Sequence, residues 1–249
     1  MNNFISYEYN SIIPSDLSSK TILMLGRCEN KLKRCELGIK AMKYIIAEIH
    51  NCEMKIISEL FKFSELKKLS KNLNLTKNIK FVGYSSRPEI YFKNASLHIF
   101  TSISESFGLV LCETKIYGIP NILLALDYLT ISKGGTVIIY DDKPNLIAKE
   151  AIKILKNDIY RKKLGRKARK SMKNIKNELI LKKWNKIILS IYNGDNYYLK
   201  LLNQEKRSSS KKDIKVLKNQ IKLLKKRLNL FNKTTINDVF NFSYMETLK

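Results

Sequence analysis

Between residues 21 and 192 the chain alternates short apolar runs with segments whose apolar residues recur at helical spacing, and this alternation restricts the fold more than any other property of the sequence. TILML (21–25), MKIISEL (54–60), IKFVGY (79–84), SLHIFTS (96–102), NILLAL (121–126) and TVIIY (136–140) read as strands. Residues 36–49, 64–75, 108–117, 144–156, 158–174 and 178–192 read as helices, with a short helical turn near Pro88–Asn94. The helix at 108–117 carries its own stop signals, Gly118 and then Pro120. Strands alternating with helices specify an α/β fold, a doubly wound parallel sheet with helices on both faces.

In such a sheet ligands bind at the carboxyl ends of strands, beside helix N-termini. The stretch SISESFGLVLCETKIYGIP (102–120) lies at such a place and carries two glutamates, Glu105 and Glu113, eight positions apart. The first N–H groups of the helix that starts near Phe107 and Gly108 point above the strand end, which suits a phosphate or sugar oxygen. Gly108 lets the backbone approach such a ligand closely. Glu113, Thr114 and Lys115 also fit the solvated face of a helix, and Arg27 fits an ordinary surface arginine. His98, inside a strand, reads as a core histidine, and Cys112 as a small buried hydrophobe.

Composition excludes several classes. No apolar run reaches the roughly 18 residues of a membrane-spanning helix, and the start MNNFISYEYNSIIPSD lacks the features of a signal peptide. Cys28, Cys35, Cys52 and Cys112 form no C-x-x-C pair, and His50 and His98 lack ligand-like spacing. Neither a zinc site nor a disulfide framework is therefore expected, and a reducing cytoplasm is the expected compartment. Of the net charge of +25, residues 151–249 hold +20, so the C-terminal part should seek anions.

The segment Glu105-Ser106-Phe107-Gly108 through Glu113 resembles the signature of retaining glycosyltransferases of the GT-B fold, the group-one or family-four type: a glutamate, seven residues, a second glutamate. Four further elements match in order. Gly26-Arg27 with a following lysine is similar to the family's phosphate-gripping G-R…K, with Lys33 favoured over Lys31. IKFVGY resembles the strand and turn beside the nucleotide base, which brings in Tyr84. Gly118-Ile119-Pro120 matches G-x-P, and Trp184 and Tyr192 match the W…Y of the closing helix. The resemblance covers about residues 20–192. It implies a Rossmann-like domain, the C-terminal half of a GT-B fold.

What the resemblance implies for the site is specific. Arg27 and Lys33 neutralise the diphosphate of a nucleotide sugar, with Gly26 allowing the turn before them. Glu105 binds hydroxyls of the donor sugar and is the candidate catalytic residue. Glu113 accepts from both ribose hydroxyls. Ser106 and the backbone N–H groups of Phe107, Gly108 and Leu109 hold sugar or phosphate oxygens. The donor expected is a UDP-sugar, with no metal and no other cofactor, and the activity a hexosyltransferase-like transfer with retention. The sequence departs from the family at IISEL, where many relatives have G-x-G; in the loop NKLKR, one residue longer; and at LDYLTISKGGT, where Gly134-Gly135 stand for the usual small residues.

The expected organisation is a linker-like segment at 1–19, the nucleotide-sugar-binding domain at 20–193, a linker at 194–212 and a basic amphipathic helix with a tail at 213–249. YEYNSIIP resembles the linker that leads out of the family's N-terminal acceptor domain, so that domain is expected to be missing or to act as a partner. Ile214, Leu217, Ile221, Leu224, Leu228 and Phe231 form a heptad seam on a strongly basic helix. That helix suits a solvated or partner-packed surface, or an anionic membrane and a peripheral location. The expected acceptor is a glycan or lipid-linked. Nucleic acid is not an expected partner, because the tail lacks interleaved aromatics and arginines. The alternative to an enzyme is a non-catalytic nucleotide-sugar-binding or scaffold subunit.

Overall fold

A computed structural model describes residues 9–28, 32–58, 63–105, 107–126, 129–173, 175 and 177–194. The basic heptad segment lies outside the described residues, as do Lys31 and Ser106. Six strands form one sheet: β1 (Thr21–Leu25), β2 (Glu53–Ile57), β3 (Ile79–Gly83), β4 (Leu97–Phe100), β5 (Asn121–Leu124) and β6 (Thr136–Ile139). Between and after them run α1 (Cys35–Glu48), α2 (Ser64–Asn72), α3 (Glu89–Phe92), α4 (Leu109–Ile116), α5 (Pro144–Lys156), α6 (Asp158–Met172) and α7 (Asn177–Tyr192). A three-residue 3-10 turn at Thr130–Ser132, which the sequence pattern does not predict, precedes β6.

The strand order is β3-β2-β1-β4-β5-β6 and every pairing is parallel. The order reverses direction between β1 and β4, which opens a crevice at their carboxyl ends. Successive side chains of a strand point to opposite faces, and the two cores follow from this. Ile22 and Met24 enter the layer built with α1 and α5, where Ile39, Met42, Ile45, Ile147 and Ala151 are buried. Leu23 and Leu25 enter the opposite layer, with Phe100, Leu111, Ile116 and Leu123.

The segment expected to be a linker is fixed to the domain from Tyr9 onward. Ser15 is buried and its hydroxyl donates to the Ala95 carbonyl at 2.7 Å. The buried guanidinium of Arg161 donates to the carbonyls of Leu17 at 2.8 Å and Leu155 at 2.7 Å and pairs with Asp158 at 2.6 Å. Arg169 binds the carbonyls of Tyr9 and Ile12 and lies 4.7 Å from the centre of the Tyr9 ring. Both arginines thereby satisfy backbone carbonyls of a segment without regular structure, which would otherwise be left unpaired.

The expected absence of disulfides is corrected. Cys28, at the end of the turn after β1, and Cys35, the first residue of α1, form a disulfide with Cα atoms 5.4 Å apart. Their spacing matches no framework pattern; it is the placing of the β1 turn beside the start of α1 that brings the two Cα atoms within the range a disulfide spans.

Candidate active site

The crevice between β1 and β4 is a cavity of about 220 Å³ lined by Leu25, Gly26, Lys33, Phe100, Glu105, Phe107, Gly108, Leu109 and Val110. Six of the residues singled out from sequence, Gly26, Lys33, Glu105, Phe107, Gly108 and Leu109, thus share one wall. Gly26 follows β1 at φ +122°, a backbone region that side chains rarely adopt, and a Cβ there would touch nothing. The glycine is required by the turn, not by crowding. Gly108 caps α4 at φ +82°, where a Cβ would lie 3.2 Å from Leu111 Cδ1 and 3.3 Å from Ile131 Cδ1. The N–H groups of Leu109 and Val110, in the first turn of α4, have no acceptor within the helix itself.

Lys33 and Glu105 form an ion pair across the cavity. The lysine is held from behind. Thr101 Oγ1 donates to the Lys33 carbonyl at 2.6 Å, and the Ile103 N–H donates to the Leu32 carbonyl at 2.8 Å. Arg34 sits in the left-handed region at φ 52° and pairs with Asp142 at 2.7 Å, so its charge is directed away to the loop after β6. The loop after β4 therefore clamps the loop after β1, and one lysine of that loop is left facing the cavity. Phe100, at the end of β4, lies beneath it, with Nζ 5.8 Å from the ring centre.

Of the remaining predicted residues, Arg27, Glu113 and Tyr84 do not line this cavity, and Ser106 lies outside the described residues. Arg27 is exposed, next to Gly26. Glu113 is half-buried on α4, and burial pushes its carboxyl up from the ordinary value. Tyr84 follows β3 and is 73% exposed.

Three sequence readings change here. Thr114 and Lys115 are not on a solvated face, because both are fully buried. Lys115 Nζ donates to the carbonyls of Ile131 and, at 2.9 Å, Lys133, and burial pushes its ammonium down to about 8. It thereby pins the 3-10 turn whose Ile131 side chain occupies the space beside Gly108 that a Cβ there would meet. Thr114 Oγ1 donates to Asn121 Oδ1 at 3.0 Å. Gly134 and Gly135 do not replace a ligand-facing small-residue loop. A Cβ on Gly135 would lie 2.4 Å from the Ala168 backbone nitrogen, so these glycines exist for the close passage of α6. Helical periodicity could not reveal Lys115, since a lysine in a helix is usually solvated.

His98 is a core histidine as read: fully buried, with Nδ1 2.6 Å from Asn121 Oδ1, and pushed down to about 4 by burial, hence neutral near pH 7. Cys112 is likewise buried, its thiol pushed up to about 12. Among the described residues no group of three or more His, Cys, Asp or Glu is arranged to hold a metal ion.

Comparison with known proteins agrees with this architecture. N-acetyl-alpha-D-glucosaminyl L-malate synthase of Bacillus anthracis is 25% identical over 169 residues, 66% of this chain and 44% of that protein. Poly(glycerol-phosphate) alpha-glucosyltransferase of Bacillus subtilis is 29% identical over 126 residues, 51% of this chain and 17% of that protein. The chain therefore spans less than half the length of these curated relatives. Among solved structures, a mutant of S. aureus TarM in complex with Fondaparinux, alpha-GlcNAc-glycerol and UDP superposes with a TM-score of 0.64 at 22% identity, over 74% of this chain and 38% of that one. The C-terminal domain of a group 1 glycosyl transferase from Francisella tularensis superposes with a TM-score of 0.55 at 20% identity, over 64% of this chain and 86% of that one. The family model of the glycosyl transferases group 1 matches residues 8–171, well over half of the sequence, and the chain belongs to that family.

Proposed function

We propose that this chain is the donor-binding half of a retaining, hexosyltransferase-like glycosyltransferase that takes a UDP-sugar. The observation that carries the reading is the pairing of Lys33 with Glu105, 72 residues apart in sequence, across a cavity at the switch point of the sheet. Lys33, with Arg27 on the same loop as the second cation, supplies the positive charge that the departing diphosphate requires, a task that two protein cations perform without a divalent metal. When a diphosphate takes Lys33, the Glu105 carboxylate is released to accept from hydroxyls of the donor sugar. Glu113 accepts from the ribose hydroxyls, and the N–H groups of Phe107, Gly108 and Leu109 bind sugar or phosphate oxygens. UDP is present in the TarM structure and in that of Anabaena HepE, which superposes with a TM-score of 0.61.

The acceptor, a glycan or lipid-linked sugar, enters from a second domain, on the same polypeptide or a partner. Two features support this. The chain matches the isolated C-terminal domain from Francisella over most of that domain's length. The helix α7 leaves Leu181, Trp184, Ile188 and Ile191 exposed at a spacing of three, four and three residues, an apolar stripe suited to a packing partner. The protein works in the cytoplasm, with the basic segment after residue 194 on an anionic membrane surface.

Calorimetry with UDP, with and without a chelator, tests the donor site. Binding should be measurable and unaffected by the chelator. Glu113→Ala should weaken it by about 1.5–3 kcal/mol, the cost of removing a charged acceptor. No nucleotide diphosphate binding, or an unchanged affinity in the variant, refutes the reading.

A further inference from the structure

Helix α6 has two faces that meet different surroundings. At about 100° per residue, the buried Arg161, Leu164, Gly165, Ala168 and Met172 share an arc of about 100°. The exposed Lys162, Lys163, Arg166, Lys167, Lys170 and Lys173 lie within about 140° of the opposite side, over a length of about 17 Å. The helix has no carboxylate beyond its first residue, Asp158, which pairs with Arg161 at 2.6 Å. Among the described residues none of the six cations enters an ion pair. They face one another instead, as Lys162 and Arg166, Lys163 and Lys167, and Arg166 and Lys170 do at a spacing of four residues, an arrangement that destabilises a helix. The band is charge that the fold itself does not use.

The buried face fixes the direction in which this band points. Arg161 donates to the carbonyl of Leu17, ahead of β1. A Cβ on Gly118, ahead of β5, would lie 3.5 Å from the Gly165 carbonyl oxygen, and one on Gly135, ahead of β6, would lie 2.4 Å from Ala168. Thus α6 runs beneath the amino ends of β1, β5 and β6 with the band outward, whereas the crevice that holds Lys33 and Glu105 opens at the carboxyl ends. We infer that this band is the surface by which the folded domain lies on an anionic lipid membrane, which turns the crevice toward the water. The inference depends neither on the donor-site reading nor on the segment after residue 194.

The chemistry of the band fits lipid phosphates better than other anions. It is the convex side of one helix, so a flat surface reaches all six cations together, while a folded acidic protein would need a matching groove. Apart from Arg166 the cations are lysines, compact charges without the fork that fixes a bidentate ligand, and these suit mobile head groups. Ile159, 80% exposed, sits in the middle of the same arc at its N-terminal end, where an apolar side chain enters the acyl boundary of an interface. The one aromatic residue of α6, Tyr160, carries Lys153 Nζ 5.2 Å from its ring centre, so the band offers no platform on which bases would stack.

Sedimentation of the full chain with vesicles of phosphatidylcholine, with and without phosphatidylglycerol, tests this. Lys163→Gln/Arg166→Gln/Lys167→Gln/Lys170→Gln removes four charges and with them the like-charge pairs, so this variant should melt no lower than the wild type. Lys40→Gln/Lys43→Gln/Lys67→Gln/Lys68→Gln, at exposed lysines of α1 and α2, lowers the net charge equally. The α6 variant should partition onto anionic vesicles at least about tenfold more weakly, a part of what four basic residues near a surface contribute. The α1/α2 variant should partition as the wild type does, because charges beyond the screening length of the surface add little. A nitrobenzoxadiazole label on Ile159→Cys should shift to the blue on anionic vesicles. The same label on Ser86→Cys, in the loop after β3 at the carboxyl ends of the sheet, should not; the native cysteines are all buried. Equal partitioning of wild type and α6 variant, equal weakening by both variants, a blue shift at Ser86→Cys or none at Ile159→Cys overturns the inference. So does a full chain that stays in solution beside anionic vesicles, or an α6 variant that loses binding to single-stranded RNA while keeping the vesicles.

Discussion

Lys115 offers a quantitative check on how the donor-site wall is held. Its side chain is fully buried, its Nζ faces only the carbonyls of Ile131 and Lys133, and burial pushes the ammonium down from 10.5 to about 8. In the unfolded chain the amine titrates near 10.5, so between about pH 8 and 10.5 the unfolded state binds more protons than the folded state. Stability contributed by this residue therefore rises with pH through that window. At about 1.4 kcal/mol per pH unit the full rise is about 3 kcal/mol, most of it reached by pH 10. Lys115→Met removes the titration. At pH 7 the variant also strands two buried carbonyls at a cost of about 1–3 kcal/mol each, which offsets the relief of burying a charge. The two proteins should consequently differ little at pH 7, and the wild type should gain roughly 2–3 kcal/mol on the variant by pH 10. Groups that titrate in the window without interacting with Lys115 are common to both proteins and cancel in the difference; the Cys112 thiol, which the Lys115 charge lowers, does not, so the comparison is made in a Cys112→Ala background. Urea unfolding followed by far-ultraviolet circular dichroism at stepped pH measures it. Parallel pH profiles for the two proteins refute the buried-ammonium account, and a profile that falls with pH relative to the variant refutes its sign.

Two further outcomes are expected. Gly135→Ala combines a left-handed φ of +66° with a Cβ 2.4 Å from Ala168 backbone, so α6 must shift; a loss of at least about 2 kcal/mol, or a Tm lower by roughly 4–8 °C, should appear in a thermal melt, and an unchanged Tm refutes the packing argument. A chain ending at Asn193 should lose the part of the salt-sensitive sedimentation with anionic vesicles that the segment after it supplies, at up to about 1 kcal/mol per basic residue near the surface; equal sedimentation of the two removes the membrane role of that segment.

How much of this was readable in advance depended on the range of the interaction concerned. Strands such as TILML and helices such as 144–156 were legible because burial on both faces of a sheet, or one face of a helix, repeats at a short period. The Glu105–Glu113 pattern was legible because a strand end, a turn and a helix start impose residue types within a dozen positions. What escaped depended on distant parts of the chain meeting. Lys115 reads as a solvated lysine until the turn at 130–132 is laid over it. Gly134 and Gly135 read as stand-ins for a small-residue loop until α6 is packed against them. Cys28 and Cys35 are seven apart, a separation that carries no signal until the end of β1 and the start of α1 are known to be neighbours. Arg161 and Arg169 read as part of a basic helix, and only their reach to Leu17, Tyr9 and Ile12 shows that they secure the N-terminal segment.

The same reasoning explains why the ion pair at the crevice was foreseen as two separate roles and found as one contact. Lys33 follows β1 and Glu105 follows β4, and only the strand order makes those loops neighbours. Both side chains are largely removed from solvent, at 23% and 14% exposure, so either charge would be costly there without a counter-ion. Without ligand, each supplies the other. Under the proposed reading a nucleoside diphosphate, richer in charge than a single carboxylate, replaces Glu105 as the partner of Lys33. The sugar hydroxyls then replace Lys33 as donors to Glu105. Donor binding at this crevice is therefore an exchange of partners in which neither buried charge is left bare, and a ligand lacking either the diphosphate or the sugar completes only half of that exchange.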